Sequence, residues 1–226
     1  MYTGPNIVTS GLVLQLDAAN TKSYPGSGIT WTDLSGNNNN GTLTNGPTFS
    51  SANGGSIVFD GTNDIITSFP TQISGIESKT ICAFVYPTTS SRIGVCGTRP
   101  IALASGWALT LNRTNSGNLS YFHTAGSLIE VNAGISTNQW YHVSATYSTT
   151  TATATLYLNG NQIGPPSSSF SAINSSAFNG VIGAEQQSSA TEIFRGNIAS
   201  VQIYNRALSA SEVLQNYNSI KSRFNL

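Results

Sequence analysis

The chain has 226 residues, 38% hydrophobic and only 8% charged, while Ser, Thr and Asn together fill 81 positions. Globular domains carry about 25% charged residues, so this surface is wetted by hydroxyls and amides rather than by ions. Nine basic side chains balance nine acidic ones, which argues against nucleic acid as a partner, because neutralising phosphates takes a basic footprint; no run approaches the roughly 18 apolar residues of a membrane span.

In chain order, residues 1–10 read as an N-terminal arm: Gly4-Pro5 breaks regular structure, and neither a basic region nor an apolar stretch of signal-peptide length is present. With little to make it a strand alone, the arm is the natural segment to order on a partner. Residues 11–226 read as a single domain. Strand signals recur at short intervals between Gly, Asn, Pro and Ser clusters, over 12–16, 56–60, 64–67, 80–86, 107–111, 119–122, 140–147, 152–158, 181–183 and 196–204. Residues 21–51, with the run Asn37 to Asn40, read as a long loop held by Trp31 and Leu34 packing inward. In 140–147, Tyr141, Val143, Ala145 and Tyr147 share one face and meet Leu156 and Leu158 of the next strand, after which Asn159-Gly160 supplies a hairpin turn. Near the C-terminus, Ser209 and Glu212 form a capping box, predicting a helix over about 209–221 with Val213, Leu214, Tyr217, Ile220 and Phe224 as its apolar positions. Many short strands and one helix predict an all-β, two-sheet antiparallel sandwich with a short C-terminal helix.

Two cysteines are too few for a disulfide scaffold or a structural zinc site. If residues 80–97 fold as a hairpin centred near Thr89, Cys82 and Cys96 face each other and a disulfide is open to them; two buried thiols are the reading preferred.

The segments GLVLQLDA, WTDLSGNNNNGT, IVFDGTNDII, WYHVSATY, LYLNG and IASVQIYNRALSASEV, in that order from Gly11 to about Tyr217, resemble the laminin-G-like members of the concanavalin A-like jelly rolls. The resemblance implies a jelly-roll sandwich, a fold that serves lectins, adhesion modules, glycosidases and spacers alike. The leading LDA strand, the asparagine loop and the terminal NYN…KSRF are similar in texture to repeats of bacteriophage virion proteins. That likeness implies a non-enzymatic virion surface protein, made in the host cytoplasm without a leader. It would decorate a capsid or form part of a head or tail fibre, with the major capsid protein or another virion protein as its partner. A homo-oligomer is left open. The alternative is a lectin-like module that binds a surface glycan.

The residues bear on these readings directly. Glucanases of the resembled family carry Glu-x-Asp-x-x-Glu on one strand, whereas Glu77, Glu130, Glu185, Glu192 and Glu212 stand alone, so no catalytic residue is assigned. His142, on the face opposite Tyr141 and Val143, reads as a structural, hydrogen-bonded histidine, and His123 likewise. No cofactor is called for beyond one structural calcium, for which Asp33, Asn37, Asp60 and Asp64 could provide oxygen ligands if the long loop folds over the Phe-Asp-Gly turn; the competing reading is that these side chains tie down turns. For a glycan, exposed aromatics are needed, and Trp31, Tyr24 and Tyr121, then Trp107, Trp140 and Tyr157, are the candidates, each weighed against core packing.

Overall fold

The structure, a computed structural model, describes residues 5–69, 78–98, 106–123, 127–168, 170, 180–185 and 192–226; residues 1–4 of the expected arm and Glu77 lie outside them. In chain order the strands are β1 (Leu12–Asp17), β2 (Thr30–Trp31), β3 (Gly41–Thr44), β4 (Thr48–Ser50), β5 (Ser56–Asp60), β6 (Ile65–Phe69), β7 (Lys79–Pro87), β8 (Ile93–Gly97), β9 (Trp107–Leu111), β10 (Asn118–His123), β11 (Ser127–Asn132), β12 (Tyr141–Ser148), β13 (Thr153–Leu158), β14 (Asn161–Ser168), β15 (Gly180–Ile182) and β16 (Arg195–Tyr204). A 3-10 turn, Ala52–Gly54, precedes β5. The helix α1 (Ala210–Ile220) runs into a second 3-10 turn, Lys221–Phe224.

The expected antiparallel sandwich is formed. One sheet runs β14-β13-β12-β7-β16-β5-β4, with β1 also on β16, and the other runs β11-β10-β9-β8-β15-β6-β3-β2. Period-two alternation sorts the faces. On β7, Ile81, Ala83 and Val85 enter the core, while Phe84 of the opposite parity packs under Ile220 and Phe224. On β12, Val143, Ala145 and Tyr147 stand in register with Leu158, Leu156 and Ala154 of β13, all in the same core, and each large aliphatic buried there contributes about 1.5–3 kcal/mol. Asn159 (φ 50°) and Gly160 (φ 78°) close the β13–β14 hairpin in the left-handed turn that their residue types tolerate.

Several expectations are corrected. Residues 80–97 are not a hairpin, because β7 and β8 belong to different sheets and residues 88–92 cross between them. Cys82 therefore lies beneath α1, with Asn216 Nδ2 at 3.9 Å, Cys96 lies in the core, and both are free thiols. Burial pushes Cys82 up to about 11 and Cys96 higher still, so neither ionises near neutral pH. The segment 21–51 is not one loop but carries β2, β3 and β4; Trp31 is fully buried as expected, whereas Leu34 is only half-buried.

Residues 5–10, the described part of the arm, are likewise not free. Asn216 on α1 accepts from the Val8 N–H (2.9 Å) and donates to the Tyr204 hydroxyl (2.9 Å), which itself donates to the Val8 carbonyl (2.9 Å). Gln215 donates to the Asn6 carbonyl and Arg206 to that of Ser10, and Val8 packs among Tyr157, Tyr204, Leu208 and Val213. A segment whose backbone groups are met this way is part of the domain.

The capping box at Ser209 and Glu212 is present, and Arg206 grips the same carboxylate through two nitrogens at 2.9 and 2.6 Å. The helix docks through Val213, Asn216, Ser219 and Ile220. Leu214, expected to anchor it, is 39% exposed. Ser209→Ala is therefore expected to cost about 1 kcal/mol and Phe224→Ala about 3–5 kcal/mol, with Leu214→Ala well below the latter, as read from urea unfolding midpoints. Among the described residues no helix is long and apolar enough to cross a membrane.

Candidate functional site

On the outer face of the α1-bearing sheet the helix and the C-terminal turn pack over Phe84, Tyr157 and Tyr204, and a corner beside Phe224 carries two aromatic rings. There the alternation of β7 brings Tyr86 outward on the same parity as Phe84, and Trp140, just before β12, shares the parity of His142. The two rings meet at 5.4 Å between centroids, inclined 49°. Phe224 of the C-terminal turn supports Trp140 from beneath at 4.3 Å.

Tyr86 and Trp140, with Asn197 of β16, Ser56 of β5, and Ala52 and Asn53 of the 3-10 turn, line a cleft of about 240 Å³. Asn53 holds a left-handed backbone (φ 53°), which asparagine tolerates better than most residues. Its amide orientation follows from its neighbours: Oδ1 accepts from Trp140 Nε1 at 3.0 Å and Nδ2 donates to the Arg223 carbonyl at 3.2 Å. The turn is fixed by the Arg223 guanidinium, which donates to the carbonyls of Asn53 (3.2 Å) and Gly55 (3.0 Å) and to Asp17 Oδ1 (2.8 Å). Across the cleft, Asn197 Nδ2 donates to Ser56 Oγ at 3.0 Å. Two half-buried rings bordered by amides and a hydroxyl, with no charged side chain among the six, suit a ligand that is apolar on one face and hydroxyl-rich at its edge.

Of the six aromatic candidates, Trp140 alone lines this cleft. Trp31, Tyr121 and Trp107 are fully buried, with Tyr24 4% and Tyr157 5% exposed. Tyr24 packs on Phe49 and spends its hydroxyl on the Gly28 carbonyl, and Tyr121 stacks on Phe170. Their faces are occupied by core neighbours, so the glycan assignment to Trp31, Tyr24 and Tyr121 is withdrawn. Tyr86 was not among the candidates, although the alternation in TICAFVYP separates it from the core residues Ile81, Ala83 and Val85.

The proposed calcium ligands do not fit a cation. Asp33 accepts from the N–H groups of Gln15 (2.8 Å), Ser35 (2.9 Å) and Asn39 (3.0 Å) and from the Ser35 hydroxyl (2.7 Å), which consumes the lone pairs a metal would need. Asn37 donates to the Leu12 carbonyl and to Ser35 Oγ. Asp60 accepts from the Thr62 N–H (2.7 Å), and Asp64 from the Asp60 N–H (2.9 Å). The Thr62 bond chiefly holds the Asp60 carboxyl below its ordinary value, whereas burial raises that of Asp64. Among the described residues no three His, Cys, Asp or Glu side chains gather to hold a metal. The turn-fixing reading is the one the hydrogen bonds support.

Among the described residues, Glu130, Glu185, Glu192 and Glu212, which stand alone in sequence, are engaged in space. Fully buried Glu185 pairs in two-pronged fashion with Arg92 (2.8 and 2.6 Å), which also approaches Glu192 (3.5 Å), and Arg113 lies 3.8 Å from Glu185. A Cβ on Gly94 would fall 2.1 Å from the Glu185 nitrogen, so the ion cluster and this close backbone approach together fasten Ala184 and Glu185 over β8. Glu130 caps Thr114 and Asn118. His142 is fully buried between Phe84 (4.7 Å) and Tyr217 (5.8 Å), its Nε2 3.5 Å from Ser144 Oγ and its Nδ1 without a partner among the described residues, which is less hydrogen bonding than expected. His123 is buried against Tyr147 and Phe170.

Residues 59–214 match the family model described as the concanavalin A-like lectin/glucanases superfamily. Among solved structures, the chain superimposes on domain 4 of an extracellular arabinanase from Geobacillus stearothermophilus, in complex with arabinotriose, with a TM-score of 0.72 and 17% identity, covering 92% of this chain and 98% of that one. The binding domain of Paraclostridial Mosquitocidal Protein 1 follows at 0.69 and 20%, covering 92% and 52%. The ligand-binding domain of botulinum neurotoxin serotype D, in complex with N-acetylneuraminic acid, stands at 0.69 and 14%, covering 93% and 51%. The chain thus spans nearly all of the arabinanase domain and about half of each toxin domain; at these identities the likeness is one of fold. A search of curated protein sequences returned no match.

Proposed function

Since the chain belongs to the concanavalin A-like lectin/glucanase superfamily, we propose that it is a non-catalytic carbohydrate-binding module whose ligand seats between Trp140 and Tyr86. The observation that carries this is the cleft itself: paired aromatic rings at a surface corner, edged by Asn53, Asn197 and Ser56. Aromatic faces pack on the C–H faces of sugar rings while amides meet their hydroxyls. The arabinotriose and N-acetylneuraminic acid complexes of two structural neighbours support the choice of ligand class. The non-catalytic part rests on the engagement of Glu130, Glu185 and Glu212 with partners that hold structure, and on a cleft lined by neither a carboxylate nor a histidine.

The finer expectation, a virion surface protein that grips a capsid through its N-terminal arm, has lost its structural motive, because residues 6, 8 and 10 are bonded to the module's own helix and its flanks. A virion surface is one setting in which such a module would be displayed, and the proposal does not depend on it.

The test is a glycan array followed by calorimetric titration of the best ligand. Binding is expected for the native protein and at least tenfold weaker for Trp140→Ala. An array without a single saturable ligand overturns the reading.

A further inference from the structure

Resting on the carbohydrate reading of the same cleft, we infer that it takes one uncharged sugar ring and that Arg223 is the positioning residue that shapes it. At about 240 Å³ the cleft lies below the roughly 300–1,000 Å³ of pockets for drug-sized ligands, which suits a single ring. None of its six lining side chains is charged. The guanidinium nearest the Asn53 turn is already spent: Asp17 takes one nitrogen, the Gly55 carbonyl a second and the Asn53 carbonyl the third. A carboxylated sugar entering here would shed water from its charge and meet no cation among the six lining side chains, which is unfavourable for an ion losing its hydration. A neutral ring meets what the cleft has to offer. Among the described residues the Tyr86 hydroxyl and Asn197 Oδ1 have no hydrogen-bond partner, and the Asn197–Ser56 bond holds the Asn197 amide in place.

Arg223 acts through Asn53. Its three bonds hold the left-handed turn, so that the Asn53 amide reaches Trp140 Nε1 and fixes the indole plane. Without Arg223 the turn is free to leave Trp140, and the wall opposite Asn197 loses its shape while the sandwich core is untouched. The C-terminal turn is in this way an integral wall of the site.

Because Trp31 and Trp107 are fully buried and Trp140 is half-buried, intrinsic fluorescence during titration reports chiefly on Trp140. The probes are neutral arabino-, xylo-, gluco- and galacto-oligosaccharides, set against sialyllactose and oligogalacturonate, in 0.05 and 0.5 M NaCl. The expected result is quenching by at least one neutral series, an affinity changed less than twofold by salt, and no response to the acidic sugars. Arg223→Met is expected to weaken binding at least fivefold, and in a double-mutant cycle with Asn53→Ala the two losses should coincide rather than multiply; circular dichroism melting verifies that each variant is folded. Acidic sugars bound in preference, with Trp140→Ala abolishing it, would overturn the neutral-ring inference and leave the carbohydrate reading standing. Multiplicative losses in the cycle would overturn the role of Arg223 alone. Neutral sugars bound with full strength by Trp140→Ala, whose binding is read by calorimetry because the variant lacks the reporting indole, would place the site elsewhere and overturn this inference. No sugar bound at all would remove both readings.

Discussion

Acidification from pH 7 to pH 4 is expected to destabilise the fold by about 3 kcal/mol through His142 alone. Burial lowers its pKa from 6.5 to about 3, because the imidazolium would sit between Phe84 and Tyr217 beneath α1 with no anion to face it. A base whose folded value lies below its unfolded value binds fewer protons when folded. Stability is therefore full above about 6.5 and falls with pH until about 3, at up to roughly 1.4 kcal/mol per pH unit. Glu212 acts in the same direction but later: Arg206 draws it down to about 2, so its contribution is full above its ordinary value of 4.5 and is lost progressively as the pH falls from there through about 2. Tyr217, raised by burial, stays protonated over the whole range. Urea unfolding at pH 7, 5.5 and 4 should show the loss in the native protein and a much flatter profile in His142→Phe. Equal slopes in the two proteins would mean that His142 is not the group responsible.

Gly196→Ala should be the most damaging single-methyl change near the cleft. Gly196 has φ 131° and lies opposite both Phe59 of β5 and Pro87 of β7. A Cβ there would stand 2.0 Å from the Tyr86 carbonyl oxygen and 3.1 Å from the Thr88 nitrogen. Both are backbone atoms that cannot swing aside. Overpacking of this kind costs about 1–3 kcal/mol and the unfavourable φ adds about 1–3 kcal/mol, so a loss of roughly 2–6 kcal/mol is expected. Since β16 continues into Asn197 and β7 holds Tyr86, any ligand affinity should fall with it. A thermal midpoint within two or three degrees of the native one would contradict this account.

The sandwich is legible from the chain because strand faces are written at period two. The string YHVSATY assigns Tyr141, Val143, Ala145 and Tyr147 to the core without reference to anything distant. The capping box is equally local. What escapes is decided by tertiary pairing. Segment 161–168 contains Pro165-Pro166 and is a strand only because β13 recruits it as an edge, where a missing N–H does no harm. β2, β3 and β4 are too short for periodicity to register. Leu214 has helical spacing but sits on the rim of the buried stripe, and Val213 and Asn216 take the contact instead. The cleft is the extreme case, since residues 52, 53, 56, 86, 140 and 197 come together only through sheet order, and composition cannot tell Trp140 from Trp31 or Trp107.

The pairing of β1 with β16 also governs when the molecule can exist during synthesis. Leu12 finds its partner in Tyr204, and among the described residues β1 pairs with no strand but β16. At about 5–20 residues per second, the first strand emerges from the ribosome roughly 10–40 s before the last. Throughout that interval the apolar LVLQL segment is unpaired and open to adhesion with other nascent chains. Native contacts so distant in sequence close slowly. Expression yield should therefore respond to slower translation or to a holding chaperone more than to small gains in final stability, a cost of a sandwich whose two ends share a ladder.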